Sequence, residues 1–294
     1  MKYIFTFCIS FILSLNLTAN EPLTGTMAVL TDGIVDAKRK DAIIAFTILI
    51  NRIGFKNNLI GDLKYYNSQK KILDDYLDNK IDYIIINPYY YLIHQKNLEK
   101  QTAFYWSIRR YKNKFQKMII VTNIKSGINT INDLSNKTII LKEDNYMGKI
   151  VLNKVILKSK HREYQGYVKK VDKTLKHSTA ILKTYFEKAD VAIVPMHAYN
   201  LVCEMNPIVG KKLKIIYQTD HLFMPMLNLI NISTSKEILK RMKKTSNSLH
   251  LTKEGQSIFS LFRISGIDVI TVKELEPLIQ YYQEYIILKK RYGY

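Results

Sequence analysis

The chain has 294 residues, 47% of them hydrophobic, which is enough for two cores of ordinary size. Its 45 Lys and Arg against 25 Asp and Glu give a formal charge of +20, but the lysines are spread along the whole chain among abundant Ile, Asn and Tyr. No zinc-finger spacing, helix-turn-helix pattern or aromatic–basic RNA motif accompanies them, so nucleic acid is not the expected partner.

Lys2 precedes an apolar run from Tyr3 to Leu17, then Thr18-Ala19 and a polar stretch. A basic start, an apolar run short for a membrane span and a small residue at the cleavage point predict a signal peptide over residues 1–19 and a periplasmic location. Cleavage leaves Cys203 as the one thiol, so no internal disulfide is expected. Cys203 lies in an apolar helical stretch and reads as a buried, inert thiol.

In the mature chain, Thr26 to Leu30 reads as a strand closed by the turn Thr31-Asp32-Gly33. Asp36 is placed to cap a helix to about Arg52, where Ile43, Ile44, Phe46, Thr47 and Ile50 recur at helical spacing. Leu59 to Tyr66 is a second strand, Ser68 caps a helix to Leu77, Ile81 to Asn87 is a third strand, and Pro88 opens a helix through about Gln95. Thr102 to Val121 reads as two strands broken at Lys112-Asn113-Lys114. After a loop, strand Lys137 to Leu141, helix Gly148 to Leu157, strand Tyr164 to Val168, helix Thr174 to Glu187 and strand Val191 to Val194 follow. Helix His197 to Met205 and strands Lys214 to Tyr217 and Met226 to Ile232 come next. The tail from Lys236 is helical, interrupted around Gly266-Ile267-Asp268-Val269.

Two stretches repeat one plan. Asp82 enters an apolar strand that stops at Pro88, and Asp190 enters one that stops at Pro195, each after an amphipathic helix. This echo, with strands alternating with helices, predicts an α/β fold of two lobes, mainly parallel sheets with helices on both faces. The expected lobes are residues 20–122 with 226–294, and residues 123–225, joined by a hinge of two crossover segments. A cleft between them is a ligand trap.

Three segments resemble a known family. Lys125-Ser126-Gly127-Ile128-Asn129-Thr130-Ile131-Asn132-Asp133-Leu134-Ser135-Asn136-Lys137-Thr138 is similar to the "I-x-s-l-x-D-L-x-G-K-x-V" run of type 2 periplasmic solute-binding proteins. Leu175-Lys176-His177-Ser178-Thr179-Ala180 resembles the "g-x-H-x-x-A" segment of their phosphate/phosphite/phosphonate-binding branch, and Asp82 to Tyr91 its "D-x-x-x-x-x-P-x-x-Y" segment. The resemblance covers roughly residues 25 to 265. It implies a type 2 periplasmic-binding-protein fold, a small polar ligand held in the cleft, no catalysis, and delivery to an ABC permease or to a membrane sensor kinase. It places ligand contacts at Tyr91, His177 and the loop after Leu141, here Asn145 and Tyr146. Where the branch usually carries Ser-Thr-Ser-Gly, this chain reads Glu143-Asp144-Asn145-Tyr146-Met147-Gly148. The hydroxyls are replaced, two carboxylates stand near the ligand position, and Asp144 or Asn145 can cap the following helix.

Residue by residue, Tyr89, Tyr90 and Tyr91 follow the C-terminal end of a strand, the edge where open α/β sheets bind ligands, and at least one is expected to face the cleft. His177 with Ser178 sits at a helix N-terminus, where a donor and the helix dipole favour an anion. Thr31 and Asp32 close the first strand at the cleft floor, with capping of the turn as the other role for Asp32. Arg109 or Arg110 is placed to pair with a ligand oxyanion or with Glu143 or Asp144. His197 and His221 have the weaker claim. No metal-ligand spacing, nucleophile elbow or phosphate-cradling glycine loop is present, so neither metal nor cofactor is expected. The sequence therefore predicts a monomeric, non-enzymatic binding protein. Its rivals are a sensor-kinase input protein, an enzyme resembling chorismate dehydratase, and a basic periplasmic protein that coats polyanions.

Overall fold

A computed structural model describes residues 23–30, 47–48, 59–110, 113–261 and 264–294. The expected signal peptide, Thr31, Asp32 and the expected cap at Asp36 lie outside the described residues; of the first expected helix, Thr47 and Ile48 are described and helical.

Eleven named strands in the described residues form two sheets. The first has the order β11-β4-β10-β3-β1-β2, from β1 (Leu23–Leu30), β2 (Leu59–Tyr66), β3 (Tyr83–Ile86), β4 (Thr102–Arg109), β10 (Leu227–Asn231) and β11 (Gly266–Ile270). The second has the order β7-β6-β8-β5-β9, from β5 (Met118–Asn123), β6 (Thr138–Lys142), β7 (Lys170–Thr174), β8 (Val191–Pro195) and β9 (Leu213–Gln218). The two-sheet α/β plan agrees with the sequence, but the sheets are mixed rather than mainly parallel. Only β1–β2, β1–β3, β6–β7 and β6–β8 pair in parallel; β10, β4 and β11, like β8, β5 and β9, are antiparallel neighbours. The returning strands insert next to the parallel core because the chain crosses between sheets twice.

The two Asp-led units have a common physical basis. Asp82 donates its amide to the Thr26 carbonyl (3.0 Å) and accepts the Thr26 amide on its carboxylate (2.8 Å). Asp190 does the same to Thr138, at 3.0 and 2.7 Å. Each aspartate pins the start of its strand to the neighbouring parallel strand, which sets the register of β3 on β1 and of β8 on β6.

Helices follow the local signals. Ser68 caps α1 (Gln69–Leu77), and Asn87 caps α2 (Pro88–Ile93), where proline fills the first position. Helix α3 (Gln95–Gln101) leads into β4. In the second sheet, α4 (Tyr146–Lys160), α5 (His177–Tyr185) and α6 (Met196–Met205) follow β6, β7 and β8, and α7 (Pro207–Lys212) precedes β9. The tail holds α8 (Lys236–Ser248), α9 (Lys253–Leu261) and α10 (Val272–Arg291), the last opened by a Thr271–Glu274 capping box. The expected strand at Tyr164–Val168 is instead a 3-10 turn, Tyr164–Gly166, and the strand lies at β7. Its aromatic residues mimic a strand but pack on α4, where Asn153 Oδ1 accepts the Tyr164 amide at 2.9 Å. Thr174 ends β7, so the next helix begins at His177, not Thr174.

Inside the second sheet, alternate residues of β5 bury on opposite faces: Ile119 and Val121 meet α5, while Ile120 joins the core under α4. That larger core continues into Ile72 and Tyr76 of α1 and Ile84 of β3. The chain leaves the first sheet between Arg109 and Met118 and returns between Gln218 and Leu227. These crossovers pair with each other through an isolated antiparallel bridge, Gln116 with Phe223. Helix α10 starts from β11 yet lies on α4 of the other sheet. Glu284 pairs with the nearly buried Lys154 (2.9 Å), Lys289 with Glu163 (2.8 Å), and Tyr281 lies under the Lys154 ammonium (3.4 Å). No helix among the described residues is long and apolar enough to cross a membrane.

Candidate ligand-binding site

The C-terminal ends of β6, β7 and β8 lie side by side, and of the helices that follow them α4 meets α2 of the first sheet. Asn87 Nδ2 donates to the Asp144 carbonyl across this seam at 3.4 Å.

At α4 the helix N-terminus is closed. Asn145 is buried, accepts the Gly148 amide on Oδ1 (2.9 Å) and donates Nδ2 to the Ile193 carbonyl (3.2 Å). Glycine at position 148 leaves room for this cap, since a Cβ there would collide with the Asn145 side chain. Asp144 is neutralised by Lys142 at 3.0 Å, and Glu143 faces solvent. The carboxylates therefore do not oppose an anion as isolated charges, and Asn145 is a cap. Neither pairs with Arg109, which lies 3.6 Å from Asp268.

The ends of α5 and α6 are different. No side chain among the described residues caps either one. Their first turns carry His177 and His197, both half-buried, and the Nδ1 atom of each is shut from water without a hydrogen-bond partner among the described residues. Burial, then the positive charges of Lys142 and Arg110, push the His177 imidazole down to about 3. Burial, then Arg110 and His177, do the same to His197, also to about 3. Both rings are thus neutral at pH 7, in a positive field, with an unmet polar atom. Ser178 is the next residue of α5, half-buried beside His177.

Across the seam, Gln69 begins α1. It is buried, and its Nε2 has no partner among the described residues. Tyr89 and Tyr90 of α2 meet Tyr146 of α4: Tyr89 stacks on Tyr146 with centroids 5.0 Å apart, and Tyr90 sits edge-on to both at 5.5 and 5.7 Å. Tyr91 does not join them. It is fully buried, donates its hydroxyl to Glu99 at 2.9 Å and packs on Tyr105, so it belongs to the core. On α2, Tyr91 is about 200° around the helix from Tyr89, so both cannot face the seam.

Among the expected residues, the described contacts join Tyr146 to Tyr89, tie Asn145 to β8, and set His177, with Ser178 next to it, near His197, which sequence reasoning ranked low. Gln69, which it missed, begins α1 with an Nε2 that has no partner among the described residues. The repeat held the signal for both. Asn87 and Pro195 are equivalent helix caps after the Asp-led strands, which makes Tyr89 and His197 counterparts; Ser68 and Lys176 are likewise equivalent, which makes Gln69 and His177 counterparts. No group of three His, Cys, Asp or Glu able to hold a metal occurs among the described residues.

Residues 38–275 match the family model of ABC transporter, phosphonate, periplasmic substrate-binding proteins. The chain belongs to this family. It is therefore a periplasmic solute-binding protein, of a family that binds substrates rather than converting them, for a small molecule and an ABC permease. Solved structures show the same fold. A binding protein component of an ABC phosphonate transporter from Pseudomonas aeruginosa is 11% identical, with a TM-score of 0.67, over 92% of this chain and 89% of that one. PhnD1 from Prochlorococcus marinus in complex with methylphosphonate is 12% identical, with a TM-score of 0.66, over 90% and 98%. A Xanthomonas citri protein bound to ATP is 8% identical, with a TM-score of 0.67, over 91% and 98%. No curated protein matches the chain.

Proposed function

We propose that this binding protein captures a small oxyanion of the phosphate–phosphonate class at the α5 and α6 N-termini, and delivers it to an ABC permease without chemical change. The observation that carries this reading is the His177–His197 pair: two neutral imidazoles whose Nδ1 atoms have no partner among the described residues, at two helix N-termini that no described side chain caps. As Nδ1–H tautomers they donate to an anion without first gaining a proton. The helix amides add further donors and a favourable dipole. In this reading Gln69 Nε2 of α1, which has no partner among the described residues, supplies a further donor when the seam closes. Methylphosphonate and ATP, named for two structural neighbours, both present a phosphorus oxyanion of this kind.

The lobes in this reading are the two sheets with their helices, hinged at the paired crossovers around Gln116 and Phe223. Residues 1–19 act as the cleaved signal, and the protein works as a monomer. Isothermal titration with phosphate, phosphite and methylphosphonate, with arginine and glucose as controls, tests the function. Saturable heat from at least one of the three anions is expected. Heat from none of them refutes the oxyanion reading. A His177→Ala change removes one donor to a charged group, worth about 2 kcal/mol, and weakens the best ligand about 30-fold.

A further inference from the structure

The oxyanion accounts for the His pair but not for the rings beside it. Strand β6 lies between β7 and β8, so the α4 N-terminus that carries Tyr146 emerges between the α5 and α6 N-termini that carry His177 and His197. The ring nearest in the topology to an oxyanion held at α5 and α6 is therefore Tyr146. The α4 N-terminus cannot hold the anion instead, because Asn145 fills it. Tyr146 faces Tyr89, which belongs to the other sheet, and the two rings are nearly parallel at 17°. Tyr90 braces both edge-on, which fixes the plane of the pair.

Resting on the oxyanion reading, we propose that Tyr89 and Tyr146 are a specificity element that takes a planar aromatic group of the ligand between them. The ligand is then an oxyanion of the phosphonate class bearing an aromatic ring. Each ring rides on a different lobe, so opening the seam parts them, and closing brings them onto whatever lies between. At 5.0 Å the pair is in direct contact. A third ring needs the two planes about 7 Å apart, twice the stacking distance, so a parting of about 3.5 Å admits it. A flat π-system presents both faces to the tyrosines at stacking distance, whereas a saturated ring of equal size does not.

The test is titration with phenylphosphonate, cyclohexylphosphonate and methylphosphonate against the wild-type protein and the Tyr89→Leu, Tyr146→Leu and Tyr146→Phe variants. The ratio of phenyl to cyclohexyl affinity cancels shared anion contacts and changes in folded fraction. Two stacked faces predict a ratio of about tenfold in the wild type. The ratio should be retained in Tyr146→Phe, which keeps the ring, and fall towards one in either leucine variant. Equal affinity for the phenyl and cyclohexyl compounds, or a preference that survives both leucine variants, overturns the aromatic slot while methylphosphonate binding leaves the oxyanion reading standing. If none of the three binds, both readings fall together.

Discussion

Acidification tests the buried imidazoles without any ligand. In the unfolded chain a histidine titrates near 6.5. In the folded site His177 and His197 are both held down to about 3. Between these values the unfolded state binds a proton that the folded state refuses, so stability is full above about pH 6.5 and falls as the pH drops toward 3. From pH 7 to 5 this linkage costs about 2 kcal/mol per histidine, or about 4 kcal/mol for the pair. Most carboxylate titration lies below that window, and Asp75, Glu163 and Glu274 are held lower still by their cationic and hydrogen-bond partners. Urea unfolding at pH 7, 6 and 5 measures the loss. The His177→Gln/His197→Gln double variant removes both groups and should lose about 4 kcal/mol less across the same range. An unchanged pH slope in the double variant would show that these imidazoles titrate normally, and the unmet-donor argument would fail with it.

Three further outcomes follow from the framework around the site. Asp190→Ala removes a charged acceptor from the Thr138 amide and should cost about 1.5–3 kcal/mol in urea unfolding, with Asp82→Ala costing a similar amount at Thr26. Gly148→Ala drives the Asn145 side chain off the α4 cap and should lower stability by at least about 1 kcal/mol, read as a fall in melting temperature. At the α10–α4 contact, Lys154→Met should be tolerated within about 1 kcal/mol, because an apolar chain of similar length replaces a nearly buried ion. Glu284→Ala strands that ammonium over the Tyr281 ring and should cost more, though its own exposure limits the loss. The reverse order in thermal unfolding would contradict the burial argument.

Much of the fold was legible because its signals are local. The ends of β2, the Ser68 cap and the proline start of α2 are set by residues within a turn of each other. The repeated aspartates were visible as a pattern, although their pairing to Thr26 and Thr138 is a tertiary fact. Strand β7 was missed because an edge strand with Lys170, Asp172 and Lys173 lacks the apolar run that marks β3 and β8. The antiparallel placement of β10 and β5 depends on where the chain crosses, which no window of sequence contains. For the site, strand-end position singled out Tyr89, and a helix N-terminus with the family resemblance singled out His177. Tyr91 shares that position but not the helix face, and it went into the core. His197 and Gln69 carry no motif of their own; only their equivalence to Tyr89 and His177 marks them.

In the proposed complex an oxyanion sits between His177 and His197 at the α5 and α6 N-termini. Anomalous diffraction from crystals grown with arsenate, an isostere of phosphate, locates the anion without assumption. An arsenic peak with oxygens about 3 Å from both imidazoles is the expected result. A peak at the α4 N-terminus with Asn145 displaced, or an empty seam at saturating arsenate, would contradict it.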